Sequence, residues 1–270
     1  MTPNNNLSCL PFYKKVAEMS NKRTYAYGQV YPLYCDRTHL PPFQIRIDNT
    51  SLSPTQMRLY KKDGSGGGLL NELANIHECT FSSYKMWVYN GAALAATLNE
   101  GQYYLQIDFA QSSLDVPVTY TSEVFTIVQD LSPFLKIEFY DSSDFVYDGG
   151  RVVYSNNGMT YRNTFYLATE LGMPEYTFNE EGEERDGFFF PTKQLSEKVY
   201  KFMVLAPEYM TDVLRLARLS EYVIITDKYG NVYNVNHIAF EVRWQPQGYL
   251  AGVEVEFRTD TVLKQIGKGY

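Results

Sequence analysis

The sequence predicts a mainly β protein made of two β-sandwich-like modules, the second carrying one α-helix at about 207–219. Three observations carry that expectation. Apolar and polar residues alternate over much of the chain, which is the period of half-buried strands. Turn-forming clusters such as Asn156-Asn157-Gly158 separate the alternating stretches, because asparagine and glycine tolerate positive φ at low cost. After Pro207 the apolar residues switch to helical spacing. The expected organisation is an N-terminal extension (1–40), a β-sandwich (41–130) and a β-rich domain (131–270) with an interaction loop at 179–191.

In the first module, Phe43 to Ile47 (FQIRI) and Met57 to Tyr60 alternate as strands. KKDGSGGGLL holds too many glycines for one tight turn and is expected to be a flexible connection. Leu69, Leu73 and Ile76 share one helical face, which suggests a short helix over 69–78. Met86 to Tyr89 returns to strand. In NEGQYYLQIDF (99–109) a glycine stands two residues before Tyr103, and Leu105, Ile107 and Phe109 alternate after it. This resembles the tyrosine-corner strand of immunoglobulin-like sandwiches, so the first module is expected to be immunoglobulin-like. Ser122 to Val128 closes it. The cysteine pair of antibody domains is missing, so the resemblance extends to architecture alone. The polar stretch QDLSP (129–133), with a proline unsuited to a central strand, marks the boundary.

The second module restarts the alternation at Leu135 to Tyr140 (LKIEFY). A turn at Asp148-Gly149-Gly150, a strand from Arg151 to Tyr154 and the hairpin signal at 156–158 follow. Thr164 to Leu167, Tyr176 to Phe178 and Val199 to Leu205 are further strands. Pro207 suits a first helical turn, where its missing N–H has no partner to lose. Glu208 and Asp212 near the start, with Arg215 and Arg218 near the end, complement the helix dipole. Met210, Val213, Leu214 and Ala217 form the stripe expected to be buried. The chain ends as a meander: Tyr222 to Thr226, Val232 to Val235, Ile238 to Trp244, a Gln245-Pro246-Gln247-Gly248 turn, then Leu250 to Phe257.

Composition narrows the function classes. The chain has 270 residues and a formal net charge of −7, with no lysine–arginine block, so direct nucleic-acid partners are not expected. The first fifteen residues lack a basic start and an apolar core, so no secretory signal is expected. No run approaches the ~18 apolar residues of a membrane span, so a soluble protein without a membrane partner is expected. Tyrosine alone supplies 24 residues, a side chain suited to surfaces that are apolar on one side and wet on the other. Cys9, Cys35 and Cys79 have neither zinc-ligand spacing nor the number for a disulfide framework, and are expected to be reduced thiols.

The chemistry-bearing motifs are absent: there is no G-x-S-x-G, H-E-x-x-H, P-loop or G-x-G-x-x-G. His39, His77 and His237 are scattered along the chain. The protein is therefore expected not to be an enzyme, with no catalytic residue, metal or cofactor. One stretch stands out, NEEGEERDGFFFP at 179–191. Its acids do not follow the alternating ligand pattern of a calcium loop. They are also too local for a carboxylate pair across a sugar cleft. The expectation is a strand-connecting loop whose acids keep the tip solvated while its phenylalanines anchor in a core or a neighbouring subunit. The candidate subunit interface is Glu180, Glu181, Glu183, Glu184, Arg185, Phe188, Phe189 and Phe190.

Several phrases carry a further resemblance. YTSEVFTI, LSPFLKIEFYD, EEGEERDGFFFPTKQLSEKVYKF, LAPEYMTDVLRL and VEVEFRTDTVLKQIGKGY resemble structural proteins of crAss-like phages and related tailed phages of gut Bacteroidetes. The likeness runs from about Leu40 to the end of the chain. It implies a virion component of the neck or tail, made in the host cytoplasm. Such a subunit would build a ring or sleeve from copies of itself and neighbouring virion proteins. An alternative, motivated by Trp87, Trp244 and the tyrosines, is a carbohydrate-binding β-sandwich acting as a host-glycan adhesin. A polysaccharide depolymerase stands third and would need two carboxylates facing each other across a cleft.

Overall fold

The computed structural model describes residues 7–14, 31, 33–112, 114–141, 145–147, 152–154, 161–244, 250–259 and 263–266. The turns expected at 148–150, 156–158 and 245–248 lie outside the described residues.

Among the described residues the first module is a sandwich of ten strands: β1 (Phe12–Tyr13), β2 (Tyr34–Cys35), β3 (Phe43–Ile47), β4 (Ser53–Lys61), β5 (Gly66–Leu69), β6 (Ile76–Thr80), β7 (Lys85–Tyr89), β8 (Gly101–Ala110), β9 (Val118–Ser122) and β10 (Phe125–Ile127). One sheet runs β3-β7-β6. The other is built around β8, with β4 and then β5 on one side and β9 and β10 on the other. β2 joins β10 in parallel while the neighbouring pairs are antiparallel, an immunoglobulin-like arrangement. The alternation creates the core: Leu105, Ile107 and Phe109 point inward from β8, and Trp87 from β7 meets Phe109 at 6.2 Å between ring centroids. Tyr103 lies within β8, paired with Lys61 and Phe125, its ring folded over Gly101, where an added Cβ would lie 3.2 Å from the ring. β1 and β2 come from the residues expected as an N-terminal extension, and Leu7, Leu10 and Phe12 are buried there.

Two local expectations are corrected. KKDGSGGGLL is not a loose connection but the β4–β5 hairpin, in which Gly66 and Gly67 take positive φ. Tyr60 lies so close to Gly67 that a Cβ there would approach its ring to 2.7 Å. The short helix over 69–78 shrinks to a single 3-10 turn at Leu73–Asn75. Ile76–Thr80 instead pairs with β7, because strand pairing offers more backbone hydrogen bonds than one uncapped turn.

The second module holds β11 (Leu135–Tyr140), β12 (Phe145–Tyr147), β13 (Val152–Tyr154), β14 (Asn163–Leu167), β15 (Glu175–Arg185) and β16 (Phe188–Pro207). Helix α1 (Glu208–Ala217) then leads to β17 (Tyr222–Thr226), β18 (Val232–Trp244), β19 (Leu250–Thr259) and β20 (Leu263–Ile266). The large sheet runs β14-β11-β17-β18-β19-β16-β15, with β20 also on β16. β18 starts against β17 and finishes against β19, with a bulge between Val235 and His237 where it changes neighbours. Helix α1 packs on β16, β18 and β19. All four residues of its expected stripe are buried, and so are Tyr209 and Leu216. Tyr209 meets Tyr31 edge-on at 6.1 Å, which ties the helix to the N-terminal segment.

The two modules share a continuous apolar core. Polar contacts reinforce the seam. The Cys9 thiol lies 3.2 Å from the Pro42 carbonyl oxygen and 3.5 Å from that of Thr164. Tyr34 packs its ring on Phe134 at 4.2 Å.

Candidate functional site

The stretch 179–191 is not a loop. It is the distal part of one long hairpin formed by β15 and β16, paired in antiparallel register from Glu175↔Val199 to Arg185↔Phe188. The turn is only two residues, Asp186 (φ 53°) and Gly187 (φ 81°). Consecutive positive φ angles at Asp-Gly are the signature of a tight primed turn, whose twist matches that of the flanking strands. At ~3.4 Å per residue, the 11 residues of β15 reach on the order of 35 Å.

A bulge shapes the middle of this arm. The register shifts between Glu181 and Gly182, leaving Thr192 as the extra residue on β16. The Thr192 hydroxyl donates to the Glu181 carbonyl oxygen at 3.0 Å and holds the irregularity in place. Opposite it, Gly182 has no room for a side chain. An added Cβ would stand 2.3 Å from the Phe190 carbonyl oxygen and 2.7 Å from the Phe189 ring.

Cross-strand partners share a face and successive residues alternate. One face therefore carries Tyr176, Phe178 and Phe189 with Glu180 and Glu184. The opposite face carries Phe188 and Phe190 with Glu181, Glu183, Arg185 and Lys193. Phe188, Phe189 and Phe190 are 70%, 50% and 52% exposed, so none reaches the protein's own core. Tyr176 and Phe178 are exposed beside them. Their face continues the side of β16 that carries the buried Phe202 nearer the helix.

The charges partly satisfy one another. Arg185 pairs with Glu183 at 2.6 Å and Lys193 with Glu181 at 2.8 Å. The Gln194 amide donates to Glu180 at 2.9 Å. Exposed pairs of this kind contribute about 0–1 kcal/mol each and mainly set side-chain orientation. Glu184 and Asp186 have no such partner among the described residues, and the tip remains net acidic. Among the described residues β15 has no neighbour on its outer edge, and β20 covers β16 only along 193–196. Beyond Lys193 the arm is therefore two-stranded, a form that is marginal in water without further support.

All eight residues of the sequence-derived candidate set thus lie together on one arm, divided between its two faces. Tyr176, Phe178 and Gly182 were not in that set. The signal for the first two was present in the alternation of YTF, which aligns them with Phe189. Asp186-Gly187 was the signal for the turn.

Elsewhere, chemistry is sparse. Among the described residues no three histidine, cysteine or acidic side chains are arranged to hold a metal ion. No helix there is long and apolar enough to cross a membrane. All three cysteines are buried and none is in a disulfide; burial pushes the Cys9 thiol up to about 12 and the Cys35 thiol also upward. His39 pairs with Asp36 at 3.0 Å, and both line a cleft between the two modules. Trp87 is buried, and Trp244 is half-exposed at the end of β18. No protein family, curated protein or solved structure matches this chain.

Proposed function

We propose that the protein is a structural subunit of a tailed-phage virion. It builds a neck or tail ring, or a sleeve, by laying the β15–β16 arm on a neighbouring copy or an adjoining virion protein. One observation carries this reading: three consecutive phenylalanines at the end of a projecting hairpin stand in water. Burying one phenylalanine is worth roughly 1.5–3 kcal/mol, so a partner that covered them would gain a strong anchor. Ring subunits use heterologous contacts, in which an arm on one copy meets a different patch on the next. The phrases that resemble crAss-like phage structural proteins suggest the virion context. Acids beside the phenylalanines keep the free arm soluble and disfavour arm-to-arm pairing through like-charge repulsion.

The test is sedimentation velocity over a concentration series, with the Phe188→Ser/Phe190→Ser double variant alongside. The proposal expects self-association that the double variant abolishes without unfolding the protein. Mass spectrometry of purified virions should also find the chain. A monomer at every concentration, together with absence from virions, would sink the proposal.

A further inference from the structure

We infer that the seam between the two modules holds a binding site for one neutral sugar ring, in the cleft between the Asp36–Pro42 turn and the outer face of β11 and β14. The cleft encloses about 270 Å³. That is just below the ~300–1,000 Å³ of sites for drug-sized ligands, which fits a single ring.

The walls are pre-formed. On one side the cross-strand pairs Lys136↔Tyr166 and Glu138↔Thr164 project from one face of the sheet. Their strands are held from behind by buried Ile137, Phe139 and Phe165. Opposite stand Tyr34, Asp36 and His39. Asp36 is clamped by its own turn, accepting from the Thr38 N–H at 2.6 Å and the Thr38 hydroxyl at 2.8 Å, with the His39 ring at 3.0 Å. Gly91 closes one end in a positive-φ conformation against the Leu40 backbone.

The class of ligand follows from how the charges are arranged. Asp36 is paired with His39, and Glu138 with Lys136 at 2.9 Å. A zwitterion or free ion would meet charges that are already largely neutralised. A hydroxyl still finds partners, because a paired carboxylate keeps acceptor lone pairs and a paired ammonium keeps donor protons. A vicinal diol, which both donates and accepts, complements a wall of alternating acceptors and donors. Burial first, then the nearby Asp36 and Glu138 charges, push the Tyr166 phenol up to about 12, so its hydroxyl remains protonated beside them. Tyr34 and Tyr166 also offer ring surface to the apolar C–H face of a sugar.

The site binds rather than hydrolyses. Glycoside cleavage needs one carboxyl group that stays protonated at working pH. Burial raises the Asp36 pKa, but the hydrogen bonds from Thr38 and His39 outweigh it and hold the carboxyl below its usual value. The Asp36 carboxyl is therefore not set up as the acid. Glu138 is fixed against an ammonium group.

The experiment is saturation-transfer NMR on the intact protein with glucose, galactose, mannose, fucose and N-acetylglucosamine at millimolar concentration, and with glycine and lysine as zwitterionic controls. At least one sugar should receive saturation while the amino acids do not. Thr164→Phe, which fills the cleft, and Glu138→Gln, which leaves the backbone intact, should each weaken that binding about tenfold or more. The Phe188→Ser/Phe190→Ser variant should bind the sugar unchanged, which separates this site from the arm. The inference is overturned if no sugar receives saturation, if only the zwitterions do, or if binding survives Thr164→Phe.

Discussion

Gln44 and Val153 are joined by two hydrogen bonds across 109 residues of sequence: the Gln44 amide donates to the Val153 carbonyl oxygen at 2.6 Å, and its Oε1 accepts from the Val153 N–H at 2.8 Å. The side chain thus acts as a short piece of strand, pairing β3 of the first module with β13 of the second. Gln44 is fully buried, so neither bond has a ready substitute in water. Gln44→Ala leaves two buried backbone groups unpaired, at about 1–3 kcal/mol each. Equilibrium denaturation should show a loss of roughly 2–6 kcal/mol on that basis. Gln44→Glu should be at least as harmful, because a carboxylate cannot donate to the carbonyl oxygen it would face. A loss well under ~1 kcal/mol would mean that the seam does not depend on this pair.

Gly182 allows a prediction confined to the arm. The close approach of Phe189 and Phe190 leaves no space for Cβ, and the nearest atom is backbone, which cannot swing aside. Gly182→Ala should therefore disrupt pairing around the bulge while the modules stay folded. Hydrogen exchange of amides in 180–192 should speed up strongly, with the melting temperature of the whole protein nearly unchanged. If the arm amides are already unprotected in the unmodified protein, the hairpin is not formed in isolation and this expectation fails. Gly187→Ala should act in the same direction by about 1 kcal/mol or somewhat more, because its φ of 81° is strained for a residue with Cβ.

Period-two patterning made the strands of this fold legible, since one face of each sheet meets a core. LKIEFY reads as buried–exposed alternation and folds as β11 with Leu135, Ile137 and Phe139 inward. The helix was legible from Pro207 and the stripe that follows it. What failed was the reading of glycine. GSGGG and NEEGEERDG looked like loops because glycine lacks intrinsic strand preference. In the structure two of these glycines are where rings and backbones come close: Gly67 under Tyr60 and Gly182 under Phe189. Such contacts are long-range facts that no local window contains. The seam cleft was illegible for the same reason, as Asp36 and Glu138 stand about a hundred residues apart and meet only through β2 and β11.

The thiols offer an inexpensive check of the core. Cys9, Cys35 and Cys79 are all buried, and burial raises the Cys9 and Cys35 pKa values, so little reactive thiolate forms near neutral pH. A thiol reagent such as a disulfide chromophore should label the native protein slowly and the denatured protein at three sites. Rapid labelling of even one cysteine under native conditions would contradict its placement.

The turn between β17 and β18 predicts part of the acid sensitivity. Asp227 Oδ1 accepts from the Tyr229 and Asn231 N–H groups, both at 2.9 Å. Its Oδ2 accepts from the Asn231 amide at 2.9 Å and the Tyr233 hydroxyl at 3.0 Å. Burial by itself would raise the Asp227 pKa, but these hydrogen bonds to the ionised form outweigh it and hold the carboxyl below its ordinary value. The folded pKa therefore lies below the unfolded value of about 3.9, and the unfolded chain binds the proton first. The stabilisation is fully present above the unfolded value and is lost as pH falls through the folded one. Asp227→Asn keeps one acceptor oxygen and replaces the other with a donor, so it should melt lower than the unmodified protein at neutral pH. The gap between the two should narrow as pH falls below about 4 and become small near pH 2. Thermal melts across that range give the comparison, and a gap that stays constant with pH would show that the Asp227 charge is not what holds the turn.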